Sequence, residues 1–354
     1  MNRADGGRVE LAPGYEISRL VVGGWQLSAG HHKDAVSAEV AVERLVALAD
    51  LGLDTFDCAD IYTGVEEIFG RFLARWRTTS ASRPLHVHTK LVPDLSALPD
   101  VDRRYVERIV DRSLRRLGVE ALDLVQLYWW DFGLGDWRAA ARALGDLRRA
   151  GKIRHLGATN LTADEVRALE DAAGVPVVSD QVQYSALDRR PERGLTAYCG
   201  ASSTRILAYG ALAGGFLTSR WLGRAPADGP FDSRSLAKYR LIVEEFGGWE
   251  AYQELLRTLA AIGQARSVDT AAVALRFVLD QPGVAAAVVG FSTVERMRAN
   301  LRALDLELTE ADHARIRRLV DVAPGCGGDV FALERDREGA HGRLMRYDLN
   351  RGAG

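Results

Sequence analysis

The sequence is poor in lysine and cysteine. Its 354 residues include four lysines, so arginine supplies nearly all of the positive charge, and three cysteines, Cys58, Cys199 and Cys326. An odd number of widely spaced cysteines without a Cys-x-x-Cys pair argues against both a disulfide framework and a zinc site. We therefore expect a reducing compartment, the cytoplasm.

Two further absences narrow the class of protein. No run approaches the roughly 18 apolar residues of a transmembrane helix, and the first ten residues lack an apolar signal region. Acidic and basic residues nearly balance, with a net charge of −2, and no basic stripe is present. We expect neither a membrane nor a nucleic acid as a partner. No pattern indicates an oligomeric state.

Strand-like and helix-like segments alternate along the chain. Residues 8–17 predict a β-hairpin with a Pro-Gly turn, and eight strand–helix units follow. Short strands that are apolar on both faces are typical of a parallel sheet covered by helices. We therefore predict an α/β fold, a closed (β/α)8 or TIM barrel. An open doubly wound sheet is the alternative, although no strand is followed by Gly-x-Gly-x-x-Gly.

We divide the chain into three parts: an N-terminal segment with the hairpin (1–18), the barrel (19–322) and a C-terminal tail (323–354). Two stretches interrupt the alternation. The long loop after the seventh strand is glycine-rich at first and helical at its end, and connections of this length are usually lids or binding loops. We expect the tail to be irregular and either folded over one barrel face or partly disordered. One helix, PERGLTAYCGAS, is predicted to begin with Pro191 in its first turn.

Polar and aromatic side chains follow the predicted strands. In a barrel, chemistry lies where the strands end, so these side chains should converge. Asp57, Tyr62 and Lys90 are the most informative of them. An isolated tyrosine titrates near ~10, and a nearby ammonium should lower that pKa while an aspartate holds the ammonium in place. The three predict a phenol that exchanges a proton near neutral pH and protonates a carbonyl oxygen, with hydride supplied by a nicotinamide cofactor.

Six motifs in fixed order resemble those of the aldo-keto reductases, over essentially the whole chain. They are DxAxxY at 57–62, HTK at 88–90, GATN at 157–160, QVQYS at 181–185, ILAYGALAGGFLT at 206–218 and ERMRAN at 295–300. The resemblance implies a (β/α)8 barrel and NAD(P)H-dependent reduction of an aldehyde or ketone, or the reverse. It implies that Tyr62 is the general acid, tuned by Lys90 and Asp57.

The resemblance also implies a cofactor site. Thr159, Asn160 and Gln181 would bind the nicotinamide carboxamide, and Tyr209 would stack on its ring. The other implied positions are Gly210, Leu212, Gly214 and Arg220 for the pyrophosphate, and Gly290, Ser292, Arg296 and Asn300 for the adenosine end. Arg296 at a helix N-terminus suits a 2′-phosphate and so favours NADPH, with NADH possible; a solvated helix arginine is the alternative. Gly24 and Trp25 are further candidates, because glycines after a strand allow close approach of the backbone.

One position departs from the family pattern. Tyr128 stands where the family usually has a histidine at the end of strand four. A tyrosine can donate a hydrogen bond but cannot become a cation near pH 7. His88 or His155 could stand in for the histidine, or both could be structural. Alternative functions are therefore a non-reductive or double-bond-directed activity, or a non-catalytic NADPH-binding subunit.

Tryptophans at strand ends predict the walls of a substrate pocket. Trp25, Trp129 and Trp130 suit a substrate with an apolar or aromatic body, although each could be plain packing. His31, His32 and Asp34 lie together in the first loop but lack a clear third ligand, so we expect exposed loop residues and no metal.

Overall fold

A hairpin and a closed parallel barrel form the core of the computed structural model. The described residues are 7–29, 36–80, 83–226, 229, 231 and 233–350. The hairpin pairs β1 (Arg8–Ala12) with β2 (Tyr15–Ser18). The barrel strands are β3 (Leu20–Gly23), β4 (Thr55–Asp57), β5 (His86–Leu91), β6 (Leu122–Leu127), β7 (Ile153–Thr159), β8 (Val177–Gln183), β9 (Arg205–Tyr209) and β10 (Val284–Gly290).

The barrel closes by pairing β10 with β3, where Val288 lies opposite Val21. Every other barrel strand pairs in parallel with its neighbour in the sequence. The predicted (β/α)8 barrel is confirmed, and the open doubly wound alternative is wrong. The strands bury both faces, one against the barrel interior and one against the helices, as their continuous apolar character predicts.

Helices surround the barrel. In the described part of the chain they are α1 (Ala38–Asp50), α2 (Val65–Thr79), α3 (Arg103–Leu117), α4 (Trp137–Arg149), α5 (Ala163–Ala173), α6 (Leu195–Ala201), α7 (Arg234–Ala265), α8 (Thr270–Leu279), α9 (Val294–Asp305), α10 (Glu310–Val320) and α11 (Ala332–Arg335). Thr162 and Glu165 cap α5 reciprocally. No helix of these described residues is long and apolar enough to cross a membrane.

The predicted start of α6 is wrong. Pro191 lies in a separate 3-10 turn, Arg190–Glu192, and α6 begins only at Leu195. The reason is Gly194 between them, whose φ of 116° cannot continue a helix.

The connection after β9 combines turns with a long bent helix. Two 3-10 turns, Ala213–Gly215 and Ser219–Trp221, precede α7, which Ser233 caps. The helix bends at Gly247 and Gly248, both at positive φ. Its N-terminal end reaches back over the glycine-rich turns that follow β9.

The hairpin closes the amino-terminal end of the barrel with Tyr15. The Tyr15 hydroxyl lies 2.9 Å from His88 Nε2, and the Tyr15 ring stacks on His155 with centroids 4.4 Å apart. His86 meets the same ring edge-on. Both candidate stand-ins for the missing histidine therefore belong to this end, opposite the strand ends, and the structural alternative holds for them.

The tail covers the carboxyl-terminal end of the barrel. Phe331 packs edge-to-face on Tyr128 at 5.7 Å between centroids, and Arg335 Nη2 donates to the Asn160 carbonyl at 2.9 Å. Further along, the Leu95 backbone N–H donates to the Tyr347 carbonyl. Of the two expectations for the tail, folding over one barrel face is confirmed for residues 323–350.

Candidate active site

A buried ion pair joins β4 to β5 at the carboxyl-terminal end of the barrel. Lys90 Nζ lies 2.6 Å from Asp57 Oδ2 and donates to the Cys58 carbonyl at 2.8 Å. Lys90 and Asp57 are 4% and 2% exposed. Burial is the largest single influence and lowers the pKa of Lys90, but the charge and hydrogen bond of Asp57, together with the charges of Tyr62 and Cys58, raise it above its usual value. Lys90 is therefore an ammonium at neutral pH.

Tyr62 lies above this pair, in the loop between β4 and α2. Lys90 Nζ is 5.3 Å from the centroid of its ring, and the Trp25 ring packs against it at 4.8 Å. Burial raises the pKa of Tyr62 to about 12, and the opposing charge of Lys90 does not offset it. The expectation of a phenol poised near neutral pH is wrong for this state of the protein. Tyr62 is a protonated phenol at pH 7, which suits a general acid.

Two glutamine amides hold the other oxygen of Asp57. Gln181 Nε2 donates to Asp57 Oδ1 at 2.6 Å, and Gln126 Nε2 donates to the same oxygen at 3.2 Å. Gln126 was missed in the sequence. The signal was a single amide in the apolar run LDLVQLYWW, two residues before Tyr128 and so on the same face of the strand.

Tyr128 lies at the barrel mouth in an aromatic setting. Its ring meets Trp130 edge-on at 4.6 Å and Phe331 at 5.7 Å. Burial raises the pKa of Tyr128 well above its usual value. Its hydroxyl is buried and has no hydrogen-bond partner within the described residues. Tyr128 is thus a neutral side chain whose hydroxyl is available to donate a hydrogen bond to a ligand.

Of the three predicted substrate tryptophans, two lie at this mouth. Trp25 packs on Tyr62, and Trp130 packs on Tyr128. Trp129 is fully buried, donates to the Leu134 carbonyl at 3.1 Å and belongs to the core. Its burial and its hydrogen bond favour the packing alternative for Trp129, whose substrate role stays a prediction.

The predicted carboxamide-binding residues converge at the ends of β7, β8 and β9. Tyr209 donates from its hydroxyl to Asn160 Oδ1 at 3.0 Å, and Asn160 N donates to the Gln181 carbonyl at 3.0 Å. Asn160 has a φ of 61°, which turns the chain at the strand end. The Thr159 hydroxyl is buried and has no partner in the described chain. An unpaired hydroxyl beside two amides fits a polar group such as a nicotinamide carboxamide.

The glycine-rich turn after β9 lies under Tyr239 of α7. A Cβ at Gly210 would come within 2.3 Å of the Tyr239 hydroxyl, and a Cβ at Gly214 within 2.6 Å of its ring. Between them, the Leu212 carbonyl accepts from Gly215 N and Leu217 N, which closes the turn. These contacts explain both glycines, each at positive φ. Tyr239 was missed, since nothing in KYRLIV distinguishes it from a helix-face residue.

Two other predicted cofactor positions have local explanations in the structure. Gly24 packs against Phe69, with its missing Cβ 2.9 Å from that ring, and donates from N to the Asp57 carbonyl. Arg220 lies in a surface turn with its guanidinium 5.3 Å from the Trp221 ring centroid. Their cofactor roles stay predictions.

Lys238 also reaches the mouth and was missed. Its Nζ lies 5.4 Å from the Tyr209 ring centroid and 3.4 Å from Glu334 Oε1 of the tail. Glu334 in turn pairs with Arg190 at 2.7 Å. These ion pairs attach the tail to the loops that follow β8 and β9.

Arginines gather at the predicted adenosine end. Arg296 Nη1 donates to Ser292 Oγ at 2.8 Å, and Arg44 Nη1 from α1 donates to the Ser292 carbonyl at 3.3 Å. Asn300 lies one turn further along α9, and Gly290 precedes them at the end of β10. Arg44 was missed because only the closed barrel brings α1 beside α9.

No cluster of metal-ligating side chains is present in the part of the chain that the structure describes. His31, His32 and Asp34 lie outside the described residues.

The sequence matches a known protein family and several named relatives. The profile of the Aldo/keto reductase family matches residues 19–321. Protein tas of Escherichia coli K12 is 29% identical over 87% of this chain and 95% of its own length. Aldo-keto reductase yakc [NADP(+)] of Schizosaccharomyces pombe is 28% identical over 81% and 86%.

Solved structures agree on the fold. The glycerol dehydrogenase of Gluconobacter oxydans superposes with a TM-score of 0.76 at 25% identity, over 92% of this chain and 98% of that one. A family match over this span, on a closed barrel with the polar strand ends described above, shows that the chain belongs to the aldo/keto reductase family.

Proposed function

We propose that this aldo-keto reductase reduces an aldehyde or ketone to an alcohol with NADPH, and catalyses the reverse where mass action allows. The observation that carries the proposal is the buried Lys90–Asp57 pair beneath Tyr62. A protonated phenol beside a fixed ammonium suits proton donation to a carbonyl oxygen.

Each member of the site has a distinct role in this proposal. Tyr62 donates its proton to the carbonyl oxygen, and the Lys90 ammonium stabilises the phenolate left behind. Asp57 keeps Lys90 charged and in place. Tyr128 offers its free hydroxyl to the same carbonyl oxygen and orients it. NADPH, when bound, supplies the hydride.

Preference for NADPH over NADH rests on Arg296 and Arg44. Both contact Ser292 at the N-terminus of α9, so two guanidinium groups and a helix terminus face one small region. Such a region suits a phosphate dianion. The relative from Schizosaccharomyces pombe is named for NADP(+), which supports the same preference.

The aromatic mouth supports a substrate with an apolar or aromatic body. Trp25, Tyr128, Trp130 and Phe331 supply its walls. All three cysteines are free and buried, in keeping with a reducing compartment such as the cytoplasm.

A second candidate function follows from Tyr128. Because it cannot carry the charge of an imidazolium, double-bond-directed or non-reductive chemistry is the alternative, as is a non-catalytic NADPH-binding subunit. The non-reductive and non-catalytic alternatives predict NADPH binding without NADPH oxidation, and the double-bond-directed alternative predicts NADPH oxidation only with a conjugated unsaturated carbonyl.

The test combines binding with turnover. NADPH and NADH are titrated by tryptophan fluorescence, and NADPH oxidation is then followed with aromatic and aliphatic aldehydes and ketones. Wild type should oxidise NADPH with at least one carbonyl, and Tyr62→Phe should lose about 100-fold or more of that rate while binding NADPH equally well. Binding without turnover across the panel would favour the alternatives, and absence of binding would overturn the cofactor site.

A further inference from the structure

We infer that Gln126 is a positioning residue that fixes the amide of Gln181, so that the site accepts a neutral primary carboxamide and disfavours a carboxylate. The inference rests on the proposed function, since the carboxamide is that of the nicotinamide cofactor. It is carried by a closed set of buried hydrogen bonds among three side chains.

Asp57 sets the direction of both amides. The Lys90 ammonium lies 2.6 Å from Asp57 Oδ2 and keeps the carboxylate ionised. Both oxygens of an ionised carboxylate can only accept hydrogen bonds, so Oδ1 is an acceptor as well. Both glutamines approach Oδ1, Gln181 at 2.6 Å and Gln126 at 3.2 Å. An acceptor requires a donor, so each glutamine must turn its nitrogen toward Asp57.

Gln126 then uses the remaining hydrogen of Gln181. With its own nitrogen facing Asp57, Gln126 presents Oε1 to Gln181 Nε2 at 3.2 Å. Both hydrogens of Gln181 Nε2 are thereby committed inside the barrel. Gln181 Oε1 makes no hydrogen bond within the described residues, so this acceptor is what Gln181 can offer to a ligand.

Asn160 at the neighbouring strand end supplies the complementary group. Its Oδ1 accepts from the Tyr209 hydroxyl at 3.0 Å, which leaves the two Nδ2 hydrogens for a ligand. Its backbone is held on both sides, by Gln181 and by Arg335. One acceptor and one donor at adjacent strand ends match the N–H and the C=O of a primary carboxamide. A carboxylate would bring an oxygen against Gln181 Oε1.

The first test measures discrimination between two ligands rather than activity. Wild type and Gln126→Met are titrated by fluorescence with NADP+ and with nicotinic acid adenine dinucleotide phosphate, which carries a carboxylate in place of the carboxamide. Wild type should prefer NADP+ by about tenfold or more. Gln126→Met should narrow that preference about fivefold, because Gln181 is then held through Asp57 alone and can rotate its amide to present an N–H to the carboxylate.

Gln281→Met is the matched control. Gln281 is also buried and donates from Nε2 to the Phe277 carbonyl at 2.6 Å, away from the strand ends that hold the site. Its substitution removes buried hydrogen bonds but should leave the preference unchanged. An unchanged preference in Gln126→Met would overturn the inference while the proposed function stands. Failure of wild type to bind either dinucleotide would overturn both.

A second measurement uses the wild-type protein and does not depend on the folding of a variant. Side-chain amide signals are followed by NMR with hydrogen exchange, with and without NADP+. The NH2 of Gln181 should be protected from exchange in the free protein and stay so with NADP+, whereas the NH2 of Asn160 should shift on binding. Rapid exchange of the Gln181 NH2 in the free protein would contradict the assigned orientation.

Discussion

Lys90 and Asp57 form an ion pair at 2.6 Å in which both side chains are almost completely buried. A second lysine–aspartate pair in the same protein, Lys152 with Asp111, has the same 2.6 Å separation but is about 40% exposed on each side. The two ion pairs share the same N–O distance and differ in burial. Comparing variants of each pair therefore separates the effect of desolvation from the effect of contact.

Asp57→Asn should therefore be costly in both stability and rate. It leaves the buried Lys90 without a counter-charge, which should reduce the free energy of unfolding by about 3 kcal/mol. Lys90 should lose its proton more readily, and kcat/KM for a carbonyl should fall about 100-fold. Urea unfolding and NADPH oxidation measure the two effects.

Asp111→Asn is the control for that variant. Its free energy of unfolding should change by less than about 1 kcal/mol, with kcat/KM unchanged. Equal destabilisation by the two variants would contradict a special role for the buried pair.

Carbonyl reduction should be insensitive to pH around neutrality. Because burial raises the pKa of Tyr62 to about 12, the phenol keeps its proton until the pH approaches that value. The rate of reduction should hold steady from roughly pH 6 to pH 9, and a fall above that range should follow loss of the proton. A decline centred near pH 7 that Tyr62→Phe abolishes would show a much lower pKa.

Stability should fall on acidification because of the histidines around Tyr15. Burial, with the charges of Arg148 and Arg154, lowers the pKa of His155 to about 4, whereas an unfolded histidine titrates near ~6.5. Between these two pH values the unfolded chain binds more protons than the folded protein. The contribution of His155 to the free energy of unfolding is therefore fully present above about pH 6.5 and is lost as the pH falls toward 4.

His155→Gln should flatten part of that profile. The half-exposed ring is screened by solvent, so the difference between pH 7 and pH 4.5 should be about 1 kcal/mol. Thermal or urea unfolding of wild type and variant at several pH values measures it. If the free energy of unfolding fell equally with pH in both proteins, the acid sensitivity would arise from residues other than His155.

Arg296→Ala should weaken NADPH binding selectively. Loss of a charge-assisted contact to a 2′-phosphate should raise the Kd for NADPH about tenfold and leave the Kd for NADH nearly unchanged. Arg298→Ala, two residues along α9 and exposed, is the control and should change neither. Equal losses for both cofactors in Arg296→Ala would place the arginine away from the 2′-phosphate.

The parts of the site that sequence could predict follow from one rule. Parallel strands bring their carboxyl ends together, so Asp57, Lys90, Asn160 and Gln181 converge once eight strand–helix units are recognised. The position of Tyr128 at the end of the fourth barrel strand is predictable in the same way. Its aromatic contact with Phe331 of the tail is not predictable from the sequence.

What sequence could not predict depends on contacts between distant residues. Arg335 reaches Asn160 across 175 positions, and Arg44 meets Ser292 across 248. No local pattern encodes either contact. The prediction of a lowered pKa for Tyr62 is wrong for a related reason. Burial of Tyr62 depends on how the whole mouth of the barrel packs, and its effect on the pKa outweighs that of the Lys90 charge.

The most direct measurement of the central claim follows a label from cofactor to product. NADPH deuterated on the transferring face of nicotinamide C4 is incubated with an aromatic aldehyde and either wild type or Tyr62→Phe, and the product is analysed by mass spectrometry. We predict an alcohol with one deuterium on the carbinol carbon from wild type, and almost none from Tyr62→Phe despite normal NADPH binding. Deuterium at any other carbon, or full product formation by Tyr62→Phe, would contradict the account.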